Sequence, residues 1–220
     1  MTSSAMLRTF APALAALLGL ASWLAAADLQ VAATEAAPPE EVSAEVRDAV
    51  GAGSLKVSGG GEDVAEFWLR DALPAKQGAA EALGVSFPGL EQGTLVGVVR
   101  LAKPWREYKD LAVPPGVYTL RYALRPADGN HMGVSTYRDF LLLTPAAEDP
   151  GVDPGWKPEE LYSKSMAATK QPHPASMAVF PVWDEVKEPT IVANDVGQPM
   201  LAVRLGDLQL GLVIEGHGEA

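Results

Sequence analysis

Three histidines, six methionines and no cysteine limit the soft-metal and nucleophilic chemistry open to this 220-residue chain. His131 follows the Asp128-Gly129 turn and adjoins Met132, while His173 stands between two prolines in Gln171-Pro172-His173-Pro174, shortly before Met177. Neither histidine falls in an expected core strand, and loops held by Pro and Gly are where function tends to be displayed. Imidazole serves both oxidation states of copper and a thioether is a soft ligand, so His131, Met132, His173 and Met177 compose a candidate copper site. Adjacent residues on a strand point to opposite faces, so His131 and Met132 reach one ion only from a turn. The plainer alternative is two unrelated loop histidines. His217, in the Glu215-Gly-His-Gly-Glu219 tail, reads as a solvated residue near a chain end.

Hydrolytic chemistry has less behind it. Ser135 and Asp139 lie near His131, but Gly133-Val-Ser-Thr-Tyr137 lacks the second glycine of a nucleophile elbow. No His-Glu-x-x-His zinc helix is present. Glu148-Asp149-Pro-Gly-Val-Asp153 carries three acids without the spacing of a calcium loop. A hydrolase of unknown type therefore ranks behind copper handling. Aromatic residues offer another line: Trp105 and Tyr108 flank Arg106 and Glu107, and Trp156 sits in Pro154-Gly-Trp-Lys-Pro158. Tryptophan in a polar loop either caps a core or forms part of a binding face. With Asp128 and Arg138, these three aromatics make up a candidate ligand-binding set, and the binding surface is expected on loops 102–115, 125–135 and 145–175.

The elements that must position these residues read as an all-β domain. After Gly51, short runs rich in Val, Leu, Tyr and Phe recur between Gly, Pro and Asp clusters. Strands are expected near 54–58, 64–70, 94–101, 116–124, 136–144, 177–183, 190–194, 200–205 and 208–215, with short helices over 76–84 and 159–168. In Gly116–Leu124 the alternation puts Tyr118, Leu120, Tyr122 and Leu124 on one face, with Thr119 and Arg121 on the other. Strand 94–101 is apolar on both faces, with Leu95, Val99 and Leu101 on one and Val96 and Val98 on the other, so it belongs in a covered, central position. Gly206-Asp207 is a tight hairpin turn. Folding about it sets Leu205 opposite Leu208, Val203 opposite Leu210, Leu201 opposite Leu212 and Arg204 opposite Gln209, a register that a one-residue slip would destroy. These patterns predict an antiparallel two-sheet sandwich of about eight or nine strands with one or two short helices.

Residues 1–27 carry one charge, Arg8, then an apolar run ending in Leu24-Ala25-Ala26-Ala27, the pattern of a cleaved export signal. An uncleaved anchor is the alternative reading of the same run. Residues 28–53 are rich in Ala, Glu and Pro and read as an acidic tether or a loosely docked short helix over Glu40–Val50. Residues 54–220 then form the β domain. Acids outnumber bases 28 to 17, a net charge of −11, and losing Arg8 with the signal leaves 28 against 16, or −12. That sign argues against nucleic-acid partners and anionic lipid surfaces. The expected location is periplasmic or extracellular, with no membrane attachment after signal cleavage.

The stretch Val113-Pro-Pro-Gly-Val-Tyr-Thr-Leu-Arg-Tyr122 resembles the strand start of transthyretin-like and related exported bacterial β-sandwich domains. The longer stretch Tyr118–Leu143, with Pro126-Ala-Asp-Gly-Asn-His-Met-Gly133, is similar to uncharacterised exported bacterial proteins. The resemblance implies a sandwich and assigns no functional residue. The leading expectation is an exported, non-enzymatic binding module for a partner protein, polymer or small ligand, with periplasmic copper handling as the alternative.

Overall fold

The structure, a computed structural model, describes residues 29–107, 111–127, 136–170 and 172–215. Its strands are β1 (Gln30–Thr34), β2 (Ser54–Gly59), β3 (Glu62–Leu69), β4 (Leu95–Leu101), β5 (Trp105–Arg106), β6 (Ala112–Val113), β7 (Gly116–Leu124), β8 (Asp139–Pro145), β9 (Ser176–Pro181), β10 (Thr190–Ala193), β11 (Pro199–Leu205) and β12 (Leu208–Val213). Two α-helices accompany them, α1 (Ala44–Val50) and α2 (Pro158–Thr169). Ten strands form one antiparallel sheet in the order β1-β2-β3-β4-β7-β8-β9-β12-β11-β10, and β5 and β6 pair separately. The large sheet curls until β1 approaches β10, so it is nearly closed into a barrel. The all-β expectation holds, but in place of a two-sheet sandwich of eight or nine strands there is one ten-stranded sheet: the β8–β9 and β9–β12 ladders join both halves, and one hydrogen-bonded sheet supplies both walls of the core.

The alternating pattern explains the interior. Phe67, Val99, Leu120, Tyr122, Leu141, Leu143, Met177, Val179, Leu201, Val203, Leu210 and Leu212 belong to one buried cluster inside the curled sheet. The hairpin of β11 and β12 has the expected register, with Leu201 opposite Leu212, Val203 opposite Leu210, Arg204 opposite Gln209 and Leu205 opposite Leu208. Strand β4 is central, between β3 and β7. Its face assignment changes at one point, because the β4–β7 ladder shifts register between Leu95 and Gly97. Val96 therefore joins the interior with Val99 and Leu101, and Leu95 joins Val98 on the outside. Gly97 makes this irregularity feasible: a Cβ there would stand 2.5 Å from the Trp68 carbonyl oxygen.

Outside the sheet, two short helices cover two patches. Helix α1 lays Val46 and Val50, with Val42 before it, over Trp68, Leu95 and Val98. Ser43 caps it by accepting from the Val46 amide at 3.3 Å. Of the two expectations for residues 28–53, a tether or a loosely docked short helix over Glu40–Val50, α1 agrees with the second, and the segment adds an edge strand, β1, that its composition did not suggest. Three valines at helical spacing bury deeply, and the Trp68 indole N–H donates to the Ala36 carbonyl at 2.8 Å. Helix α2 starts at Pro158, where a missing N–H costs nothing, and the Glu160 carboxylate accepts from the Lys157 amide at 2.9 Å. It sets Leu161 against Ala123, Phe140 and Leu142.

The helix expected over 76–84 is absent. Gly78 and Gly84 adopt φ of 67° and 70°, and the segment runs as turns on the surface. A side chain at 84 would be strained by that left-handed φ, although its Cβ would make only ordinary contacts with Arg138 and Thr136. Among the described residues, no helix is long and apolar enough to cross a membrane. The expected signal, residues 1–27, lies outside the described residues.

Burial raises the phenol pKa of Tyr118, Tyr122 and Tyr162, and Asp139 adds to the rise at Tyr122. A raised folded-state value means the fold prefers the neutral phenol, so its contribution is complete below the unfolded value of about 10 and is lost as pH climbs above it. Stability should therefore fall steeply in alkali. Parallel titrations of phenolate absorbance and far-ultraviolet circular dichroism should move together for these side chains; three phenols ionising with the dichroism unchanged would contradict the burial argument.

Candidate functional site

The charged side chains buried most deeply in the sheet fasten loops. Arg121 and Asp149 are both fully buried. Arg121 Nε donates to Asp149 Oδ2 and Nη2 to Oδ1, each at 2.7 Å, and the remaining donors reach the carbonyls of Gly93, Gly151 and Val152. Thr119 donates its hydroxyl to Asp149 as well. The outward face of β7, expected to be merely polar, is therefore a sealed layer beneath residues 149–156. Asp139, four positions after the serine considered for hydrolysis in sequence, accepts from the Ser86 and Phe87 amides at 2.8 and 3.2 Å and from the Tyr122 hydroxyl at 2.6 Å. Glu107 is buried and accepts from Ser176 Oγ at 2.9 Å.

The candidate ligands from sequence are dispersed. Trp105 is 6% exposed and donates its indole N–H to the Ile214 carbonyl, so it caps the core. Trp156 lies half-buried with its ring 5.1 Å from the Arg121 guanidinium, closing the sealed layer. Arg138 is half-buried and donates from Nε to the Arg125 carbonyl at 2.8 Å. Met177 is 1% exposed inside the sheet, whereas His173 sits in the preceding loop with Nδ1 2.9 Å from the Pro174 carbonyl. The thioether proposed as a copper ligand is thus a core side chain, placed there by the alternation of β9. Among the described residues, no group of three or more His, Cys, Asp or Glu side chains is arranged to hold a metal ion. His131, Met132, Tyr108, Asp128, Ser135 and His217 lie outside the described residues.

A different surface gathers aromatic and charged groups. The outer face of β9, β12, β11 and β10 carries its own small apolar cluster of Ala178, Met200 and Val213, with Phe180 and Val192 packed against it. Neither helix belongs to this cluster. The connection after β9, residues 182–189, crosses it as a strap. Gln209 ties the strap down: its Oε1 accepts from the Val186 amide at 2.6 Å, and its Nε2 donates to the Val182 and Asp184 carbonyls at 3.2 and 3.1 Å. Between strap and strands lies a cleft of about 440 Å³.

Three aromatics mark this cleft. Tyr137 packs edge-on against Phe180 with ring centroids 5.5 Å apart, and Trp183 leaves 83% of its surface in solvent. Four carboxylates, Asp184, Glu185, Glu188 and Asp195, line it against one cation, Lys187. Lys187 is partly neutralised by Glu185 at 3.8 Å. Sequence reasoning passed over Trp183, whose only signal is a tryptophan set among acids just past a strand, in Pro181-Val-Trp-Asp-Glu185. A cleft that is acidic and aromatic can hold a cation through carboxylate pairing and through the negative face of the rings.

No protein-family model, curated protein or solved structure matches this chain.

Proposed function

We propose that this chain is an exported, non-enzymatic binding module that holds a basic peptide segment of a partner protein in the cleft under the 182–189 strap. The exposed Trp183 beside four carboxylates is the observation that carries the reading. Large exposed aromatics at a cleft act as anchors, because they bury much area for little lost side-chain freedom. The net charge of −11 attracts a cationic partner over distance, and the local acid excess orients it. Export rests on the apolar run of residues 1–27, and the fold contributes a rigid sheet on which Gln209 fixes the strap. The buried Arg121, Asp149 and Asp139 are consumed by structural bonds, which favours binding over catalysis at these positions.

Calorimetric titration with hexa-arginine at low salt tests the reading. Binding in the range of about 10 μM is expected, weakening by an order of magnitude or more as salt rises to physiological strength. Trp183→Ala should weaken it about fivefold, the loss of one cation–π contact of about 1 kcal/mol. Absence of binding below about 1 mM, or equal binding by Trp183→Ala, overturns the reading.

A further inference from the structure

A second cleft opens on the other side of the same strap, at the end of the seam where the sheet fails to close. Strands β1 and β10 are the free edges of the ladder. Near the last residue of β1, the sheet leaves a mouth of about 360 Å³ that reaches toward the core. Its walls are Leu55, Phe67 and Leu69 from β2 and β3 and Val203 and Leu205 from β11, all members of the core cluster or packed on it. Its rim carries two guanidinium groups, Arg70 and Arg204, with Asp71 and Glu188 as the carboxylates beside them; Lys187, also at the rim, is the side chain partly neutralised by Glu185. Arg70 is half-buried, and no ion pair engages it among the described residues. Arg204 donates from Nε to the Gly206 carbonyl, which leaves its terminal nitrogens for another acceptor.

We infer that this mouth binds a small amphiphile with one anionic head group and a short acyl chain. The chain lies along Leu55, Leu69 and Val203, and the head group pairs with Arg70 and Arg204. The volume is near the lower end of ordinary small-ligand pockets, about 300 to 1,000 Å³, which selects a short chain over a full-length lipid. An apolar wall with two guanidinium groups at its rim discriminates against neutral chains, which would give those groups no anion, and against wholly polar anions, which would leave the wall wet. The two clefts share Val186, Lys187 and Glu188 of the strap, but of the two Arg70 and Arg204 line only this one, so either proposal can fail without the other.

The probe is monomeric sodium decanoate, titrated into the full chain by calorimetry, with 1-decanol as the uncharged control. Residues 1–27 are themselves apolar, so the decisive readout is the difference between the wild-type chain and variants that share that segment. Decanoate should bind at least about tenfold more tightly than decanol, and Arg70→Gln with Arg204→Gln should remove about that factor. Ala52→Trp, in the loop that borders the mouth, should abolish binding by filling it. Circular dichroism and an unchanged thermal melting curve would show that the variants fold. Equal affinity for decanoate and decanol, or undiminished decanoate binding by the double arginine variant, overturns the inference.

Discussion

Asp149→Ala should destabilise the protein by about 3–5 kcal/mol, because it strands a guanidinium inside the fold. Arg121 and Asp149 have no measurable exposure, and each oxygen of the carboxylate receives one arm of the guanidinium fork at 2.7 Å. Removing the carboxylate leaves a full charge with only carbonyl partners and the Trp156 ring. For a chain of this size the loss corresponds to a fall in Tm of about 10 °C, read by differential scanning calorimetry. Arg121→Lys should fail similarly, since an ammonium offers fewer donors and cannot span the carboxylate and three carbonyls together. Arg121→Met combined with Asp149→Leu should recover most of the loss, because a buried pair replaced by apolar groups no longer bears the desolvation cost. A shift under about 1 kcal/mol for Asp149→Ala would mean that water reaches this layer.

The second large effect is expected at Asp139. Its carboxylate satisfies two amides and one hydroxyl at the start of β8, and the amides belong to residues 86–87 in the long connection between β3 and β4. That connection has no helix or strand of its own, so its attachment depends on few bonds. Asp139→Ala leaves the two amides unpaired and the Tyr122 hydroxyl with only the Phe87 carbonyl at 3.4 Å, a loss of about 2–3 kcal/mol at about 1 kcal/mol or more per unpaired donor. Asp139→Asn keeps one acceptor oxygen and should lose about half as much. Hydrogen exchange separates this from general destabilisation: the Ser86 and Phe87 amides should lose protection at denaturant levels where the β7 and β8 amides keep theirs. Uniform loss of protection across the sheet would contradict a local fastening role.

Both residues show how far local pattern reaches. Alternation in Gly116–Leu124 places Arg121 opposite the core, and that is where it lies. Alternation does not reveal that residues 149–156 fold over that face and convert an outward arginine into a buried ion pair. The same limit applies at Gln209. Hairpin register sets it opposite Arg204, yet its function as the clamp on the strap depends on a segment more than twenty residues earlier in the chain. Met177 gives the converse case. Its thioether made it a candidate ligand, while the period-2 pattern of β9 turned it inward with Val179.

What the sequence determined by itself was the set of interactions that repeat along the chain: strand positions, the hairpin of β11 and β12, the central placing of β4 and the start of α2. These follow from side-chain alternation, turn chemistry and the fixed φ of proline, all of which act within a few residues. Tertiary structure decided the rest. It made one curled sheet from the strands, recruited residues 30–50 into the fold, and left an acidic aromatic cleft and an arginine-rimmed mouth on either side of one strap. Those features depend on contacts between distant segments, where the free energy of burying a face is gained only after chain closure and carries no local sequence period.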